Sequence, residues 1–118
     1  MKPDTAPKAL LEAIDAKTML AEVKEWAAIN TGTANIDGLG RMAGVLADAF
    51  SSLPGEVELV EPGQVTAISS EGKEFEKPHG KHMVLRVRPD AQRRFVLTGH
   101  MDTVFPVDHP FQDISWLD

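Results

Sequence analysis

The chain has 118 residues, room for one domain of ordinary size, and its 42% hydrophobic and 25% charged content fits a soluble globular protein rather than a disordered one. A net charge of −6 argues against a nucleic-acid surface, because neutralising phosphates needs clustered cations. There is no cysteine, which excludes disulfides and thiolate metal sites, and no apolar run approaches the roughly 20 residues needed to cross a bilayer.

Met1-Lys2-Pro3-Asp4-Thr5 lacks the apolar core of a secretory signal, so the expected location is the cytoplasm. The first six residues are expected to fray. From Pro7, which suits a first helical position, the pattern turns helical. Leu10, Leu11 and Ile14 share one face, followed by Leu20, Val23 and Ala27 with Trp26 beside them. The spacing predicts one long helix over Lys8 to Ile29, or two joined near Lys17-Thr18. Asn30-Thr31-Gly32-Thr33 ends it, since glycine accepts the left-handed conformation found beyond many helix C-termini.

Asn35 is a good N-cap for the next helix. Leu39, Met42, Ala43, Leu46 and Phe50 recur at spacings of three and four and form a core-facing stripe. Gly38, Gly40 and Gly44 each weaken that helix by about 1 kcal/mol relative to alanine, so it needs tertiary packing or close approach to a neighbour. Pro54-Gly55 stops it.

Val57 to Val60 reads as a strand closed by Glu61-Pro62-Gly63, Val65 to Ile68 as a weaker one, and Ser70 to Gly80 as a polar loop. Met83, Leu85 and Val87 alternate with Val84, Arg86 and Arg88, the period of a strand with one buried face. Pro89-Asp90-Ala91-Gln92 supplies turn chemistry. Phe95-Val96-Leu97 has no polar alternate, which predicts a central strand buried on both faces and joined in a hairpin to the Met83 strand. The predicted fold class is α/β, a layered sheet with helices, without internal repeats.

Seven of the twelve basic residues (Lys73, Lys77, Lys81, Arg86, Arg88, Arg93 and Arg94) cluster against only Glu74, Glu76 and Asp90. They read as a solvated edge strand and turn, with an anion-binding face as the alternative.

The chemistry-bearing stretch is Thr98-Gly99-His100-Met101-Asp102-Thr103-Val104. Catalytic zinc sites use imidazole nitrogens and carboxylate oxygens, and a ligating histidine commonly donates its other N–H to a carboxylate. His100 and Asp102 stand two apart after an apolar strand, and Gly99 lets the backbone turn as it leaves the sheet. The competing reading is a histidine hydrogen-bonded at a strand end. His79 and His82, three apart, have a metal-compatible gap, but the intervening glycine and lysine suit a mobile loop. His109, before Pro110, reads as a loop histidine. Gly38, Gly40 and Gly44 lack the strand and spacing of a dinucleotide fold, and Ser51-Ser52 and Ser69-Ser70 lack the context of a nucleophile. Trp26, Met42 and Phe50 read as core.

Thr98 to Pro106 resembles the first metal motif of the acetylornithine deacetylase, succinyl-diaminopimelate desuccinylase and glutamate carboxypeptidase family of zinc-dependent exopeptidases. Trp26 to Asn35 is similar to the helix end and loop near that family's N-terminus, and Val57 to Pro62 and His82 to Pro89 fit its early strands. The resemblance implies an α/β/α sandwich with a mixed sheet. It implies that His100 binds one of two zinc ions (other divalent metals such as cobalt being possible) and that Asp102 orients His100. It also implies hydrolysis of an amide bond in a small peptide or N-acyl amino acid, with no nucleic-acid or membrane partner and a possible homodimer.

Family members run to several hundred residues, and the remaining ligands and general base lie in later segments. Asp108, Asp113 and Asp118 are not in the right motif context. The chain is therefore expected to be the N-terminal portion of a catalytic domain, unable alone to bind zinc tightly or to hydrolyse anything, since such sites need about three protein ligands. Phe105, Phe111, Ile114, Trp116 and Leu117 are read as surface meant for further polypeptide, the alternative being that they fold back on the second helix. Two other readings stand beside the hydrolase: a non-catalytic α/β interaction module, and an unrelated α/β domain with a chance His-x-Asp. Candidate substrates are N-acyl amino acids, N-succinyl diamino acids, dipeptides and C-terminal glutamate conjugates.

Overall fold

A computed structural model describes residues 8–117. The fraying of residues 1–6, Pro7 as a first helical position and Asp118 all lie outside the described residues. Three helices, α1 (Lys8–Glu12), α2 (Ala16–Ala27) and α3 (Ile36–Phe50), precede four short strands, β1 (Glu56–Val60), β2 (Thr66–Ile68), β3 (Glu74–Glu76) and β4 (His82–Arg86). Helices and strands are both present, so the α/β class holds.

The first helical stretch divides in two, ahead of Lys17-Thr18. Asp15 is the cause. A short acidic side chain favours the N-cap over a helix interior because it can bond the free backbone N–H groups there. Its carboxylate accepts from Lys17 N at 3.1 Å, Thr18 N at 3.2 Å and the Thr18 hydroxyl at 2.6 Å. The Thr18 hydroxyl foremost, with the two backbone N–H groups, holds the Asp15 carboxyl below the usual aspartate range. The expected core face of α1 and α2 has no cover among the described residues. Leu10, Leu11, Ile14, Leu20 and Val23 are all exposed.

α3 is the better-packed helix. The Asn35 side chain accepts from Gly38 N at 3.1 Å and caps it. Leu39, Met42 and Ala43 are buried, Leu46 is half-buried, and the stripe reaches solvent at Phe50. Close approach explains one of its three glycines. A Cβ on Gly38 would collide with the Asn30 carbonyl oxygen, whereas Gly40 and Gly44 have nothing within 4 Å.

α3 packs across an antiparallel pair, β1 and β4, registered from Glu56 opposite Arg86 to Val60 opposite His82. Arg86 donates to the Glu58 carboxylate on the outside of this pair. β2 and β3 form a second antiparallel pair. The Ser70 to Gly80 stretch is therefore not all loop. β3 has one apolar residue, Phe75, so hydrophobic alternation gave it no signal. What forms it is the preceding turn, where Ser69 Oγ accepts from Lys73 N at 3.2 Å and Gly72 takes a φ of +77°.

The expected central strand is absent. Phe95, Val96 and Leu97 are 90%, 84% and 98% exposed and belong to no strand, and β4 pairs with β1 instead. A strand exists only as part of a ladder, since its N–H and C=O groups need partners. Among the described residues nothing supplies a ladder beside residues 93–98. The radius of gyration, 18.5 Å, exceeds the roughly 13 Å of a compact domain near this length, in keeping with so much unpacked apolar surface. No helix among the described residues is long and apolar enough to cross a membrane.

Candidate metal site

With no central strand beneath it, the His100 segment is placed by a different device. The loop between α2 and α3 clasps it from the side. Thr103 N donates to Thr31 O at 2.8 Å, and Thr33 N donates to Thr103 O at 3.0 Å, which makes Gly32 and Thr103 a parallel bridge. Gly32 is glycine for space rather than for a left-handed turn. A Cβ there would stand 2.6 Å from Phe105 O and 3.2 Å from Pro106 Cα. Gly99 needs neither property: it has nothing within 4 Å and no positive φ, so it is not the hinge expected of it.

Asn30 braces the clasp. Its amide donates to Phe105 O at 3.1 Å and to Gln112 Oε1 at 2.9 Å, while its own oxygen accepts from Gly32 N at 3.1 Å. Gln112 in turn donates to Pro106 O at 2.9 Å and His109 O at 2.7 Å. Two side-chain amides thus tie the 105–112 segment to the end of α2. Phe105 stacks against His109 and Phe111 at ring separations of 4.8 and 4.9 Å. Trp116 lies beneath Lys24 of α2, the ammonium 4.6 Å from its ring centre, so part of the tail folds back on α2 rather than on α3.

On this base sit His100 and Asp102. His100 Nδ1 lies 3.1 Å from Asp102 Oδ1 and 3.0 Å from the Asp102 carbonyl oxygen. Both neighbours can only accept, so Nδ1 carries the proton, and in the neutral ring the lone pair is on Nε2. Nε2 has no partner among the described residues. The His100 side chain is 84% exposed and that of Asp102 39%. The other carboxylate oxygen, Oδ2, accepts from the Thr33 hydroxyl at 2.9 Å. That hydroxyl first, and His100 after it, hold the Asp102 carboxyl below the usual aspartate range. The acid is thus an anion turned toward the imidazole while still partly open to solvent.

The pair lines an open cleft of about 510 Å³ together with Thr33, Leu39, Pro62, His79 and His82. His79 Nε2 is buried without a hydrogen-bond partner. His109 accepts from Phe111 N at 3.0 Å and closes a loop turn, which agrees with its reading as a loop histidine. Within the basic cluster, Lys81 pairs with Glu61 at 2.6 Å and Arg86 with Glu58.

The donor chemistry of His100 and Asp102 suits one arm of a zinc or cobalt site, with a lone pair on Nε2 and a carboxylate behind Nδ1. It does not complete one. Among the described residues no three His, Cys, Asp or Glu side chains are placed to hold a metal ion. Thr33, Asn30 and Gln112 are the contributors that sequence reasoning passed over. In the sequence Asn30 and Thr33 read as part of a helix terminator and of a family-like loop, without a role toward His100. Compared with protein-family models, curated proteins and solved structures, the chain matches none.

Proposed function

We propose that this chain carries the first metal-ligand motif of a zinc-dependent amide hydrolase, an exopeptidase or N-acyl amino acid deacylase. In this reading it forms the N-terminal part of an α/β/α sandwich whose other ligands come from polypeptide outside the described residues. The observation that carries the reading is the division of labour on the His100 ring: Nδ1 engaged by Asp102, Nε2 left free. A metal held there, when bound, lowers the pKa of a coordinated water and polarises the scissile carbonyl. His100 supplies a lone pair to the metal. Asp102 keeps the ring in the tautomer that presents Nε2 and strengthens it as a donor. The bare Phe95-Val96-Leu97 segment supports the sandwich, since a run of apolar residues without a polar alternate suits a strand covered on both faces.

One imidazole cannot retain catalytic zinc, so the 118-residue chain by itself is inert in this account. The test is made on the protein isolated from its source, in whatever assembly it forms. Elemental analysis should find zinc or cobalt, and at least one N-acyl amino acid or dipeptide in a panel should be cleaved, both being lost in His100→Ala. A metal-free assembly that is inert on the whole panel overturns the reading. That result would favour a non-catalytic interaction module, to which the exposed segment at 95–97 also lends itself.

A further inference from the structure

We propose that Thr33 is a positioning residue for the His100 imidazole, acting through the Asp102 carboxylate. The inference rests on the reading above only for what His100 binds; the geometry stands without it. The two oxygens of Asp102 are shared between two groups. Oδ2 accepts from Thr33 Oγ1 at 2.9 Å, and Oδ1 faces His100 Nδ1 at 3.1 Å. A carboxylate held at one oxygen can rotate about its last bond, and at 39% exposure water competes for the free one. Held at both, it has a single orientation, and that orientation is the one facing the ring.

Thr33 is itself well fixed for this task. Its backbone N–H donates to Thr103 O at 3.0 Å, so the hydroxyl is presented by the same clasp that carries the residue after Asp102. The hydroxyl has one proton and two acceptors in reach, Asp102 Oδ2 at 2.9 Å and Thr103 O at 3.2 Å. The nearer one is ionised, and hydrogen bonds to ionised groups are the shorter and stronger kind. The proton therefore goes to the carboxylate. The ring has a second acceptor of its own, the Asp102 carbonyl oxygen at 3.0 Å. The one N–H is thus shared between the carbonyl and the carboxylate, and Thr33 governs the carboxylate half of that arrangement. Thr33 is exposed, so its hydroxyl can be removed without opening a core.

The test reads the ring directly by nitrogen NMR of labelled histidine in the metal-free chain. In the parent protein His100 should be in the Nδ1–H form. Thr33→Val should move its ring signals toward the tautomer mixture of a free imidazole, and Thr33→Ser should restore them. A merely structural role is separated by a double-mutant cycle. In an Asp102→Asn background Thr33→Val should produce no further change, because Thr33 acts only through the carboxylate. Ring signals unmoved in Thr33→Val, or moved equally in both backgrounds, overturn the proposal. Amide signals of Gly32 and Thr103 report whether the clasp survives. If Thr33→Val disturbs them, Thr33→Ala in the same cycle decides by the same criterion. The two readings fail separately: a metal-free, inert assembly removes the hydrolase but leaves this coupling, and an active assembly with an additive cycle does the reverse.

Discussion

Gly32 and Thr103 lie against each other as a parallel bridge, with Thr103 bonded to the residues on either side of Gly32 at 2.8 and 3.0 Å. Seventy-one positions separate them (103 − 32), yet this contact decides where His100 and Asp102 stand. Gly32→Ala places a methyl 2.6 Å from Phe105 O, a backbone atom that cannot swing aside. The substitution should cost about 1–3 kcal/mol, the usual range for overpacking a filled site. Amide exchange at Thr33 and Thr103 should speed up while exchange within α3 does not.

The three glycines of α3 separate by environment. Gly40→Ala and Gly44→Ala meet open space, and each should stabilise by about 1 kcal/mol through helix propensity alone. Gly38→Ala drives a methyl into the Asn30 carbonyl and should destabilise. Urea midpoints of the three variants give the signs, and a stabilised Gly38→Ala would contradict the packing described for the Asn30–Asn35 loop.

Much of the fold could be read in the sequence and the missing parts have physical causes. The Asn35 cap, the α3 stripe, β1, β2 and β4 all follow from local patterning, because each is decided by groups within a few residues or on one face. Three features are not carried by hydrophobic patterning. The break at Asp15 turned on a capping carboxylate inside a continuous apolar pattern. β3 turned on turn chemistry rather than alternation. Phe95-Val96-Leu97 has the composition of a buried strand and no ladder among the described residues. At the site, the pairing of His100 with Asp102 was visible as a two-residue spacing. Thr33 and Asn30 were not assigned, because their contacts are made with residues about seventy positions away, and no spacing rule reports those.

Acid should loosen α2. The folded Asp15 carboxyl lies below its ordinary value of about 3.9. A depressed folded-state pKa contributes stability that is present above the unfolded value and lost as pH falls through the folded one. Helicity of α2 should therefore be constant above the ordinary aspartate range and fall below it. Asp15→Asn, which keeps a capping oxygen without the titration, should flatten that dependence when α2 amide shifts are followed against pH.

Exposed Phe95, Val96 and Leu97 should make the purified chain self-associate, because extended apolar backbone without a ladder is a template for pairing. Val96→Lys places a charge in the middle of that segment and should lower the mean mass seen by light scattering. It should leave the β1–β4 register unchanged, since residue 96 takes no part in it.

The free lone pair on His100 Nε2 is tested most directly with paramagnetic cobalt. Sub-stoichiometric Co²⁺ added to the labelled chain should broaden the His100 ring signals before those of His79, His82 or His109, weakly and reversibly as one imidazole allows, and His100→Ala should abolish the effect. Broadening led by any of the other three histidines, or a His100 ring untouched by the ion, would contradict the account.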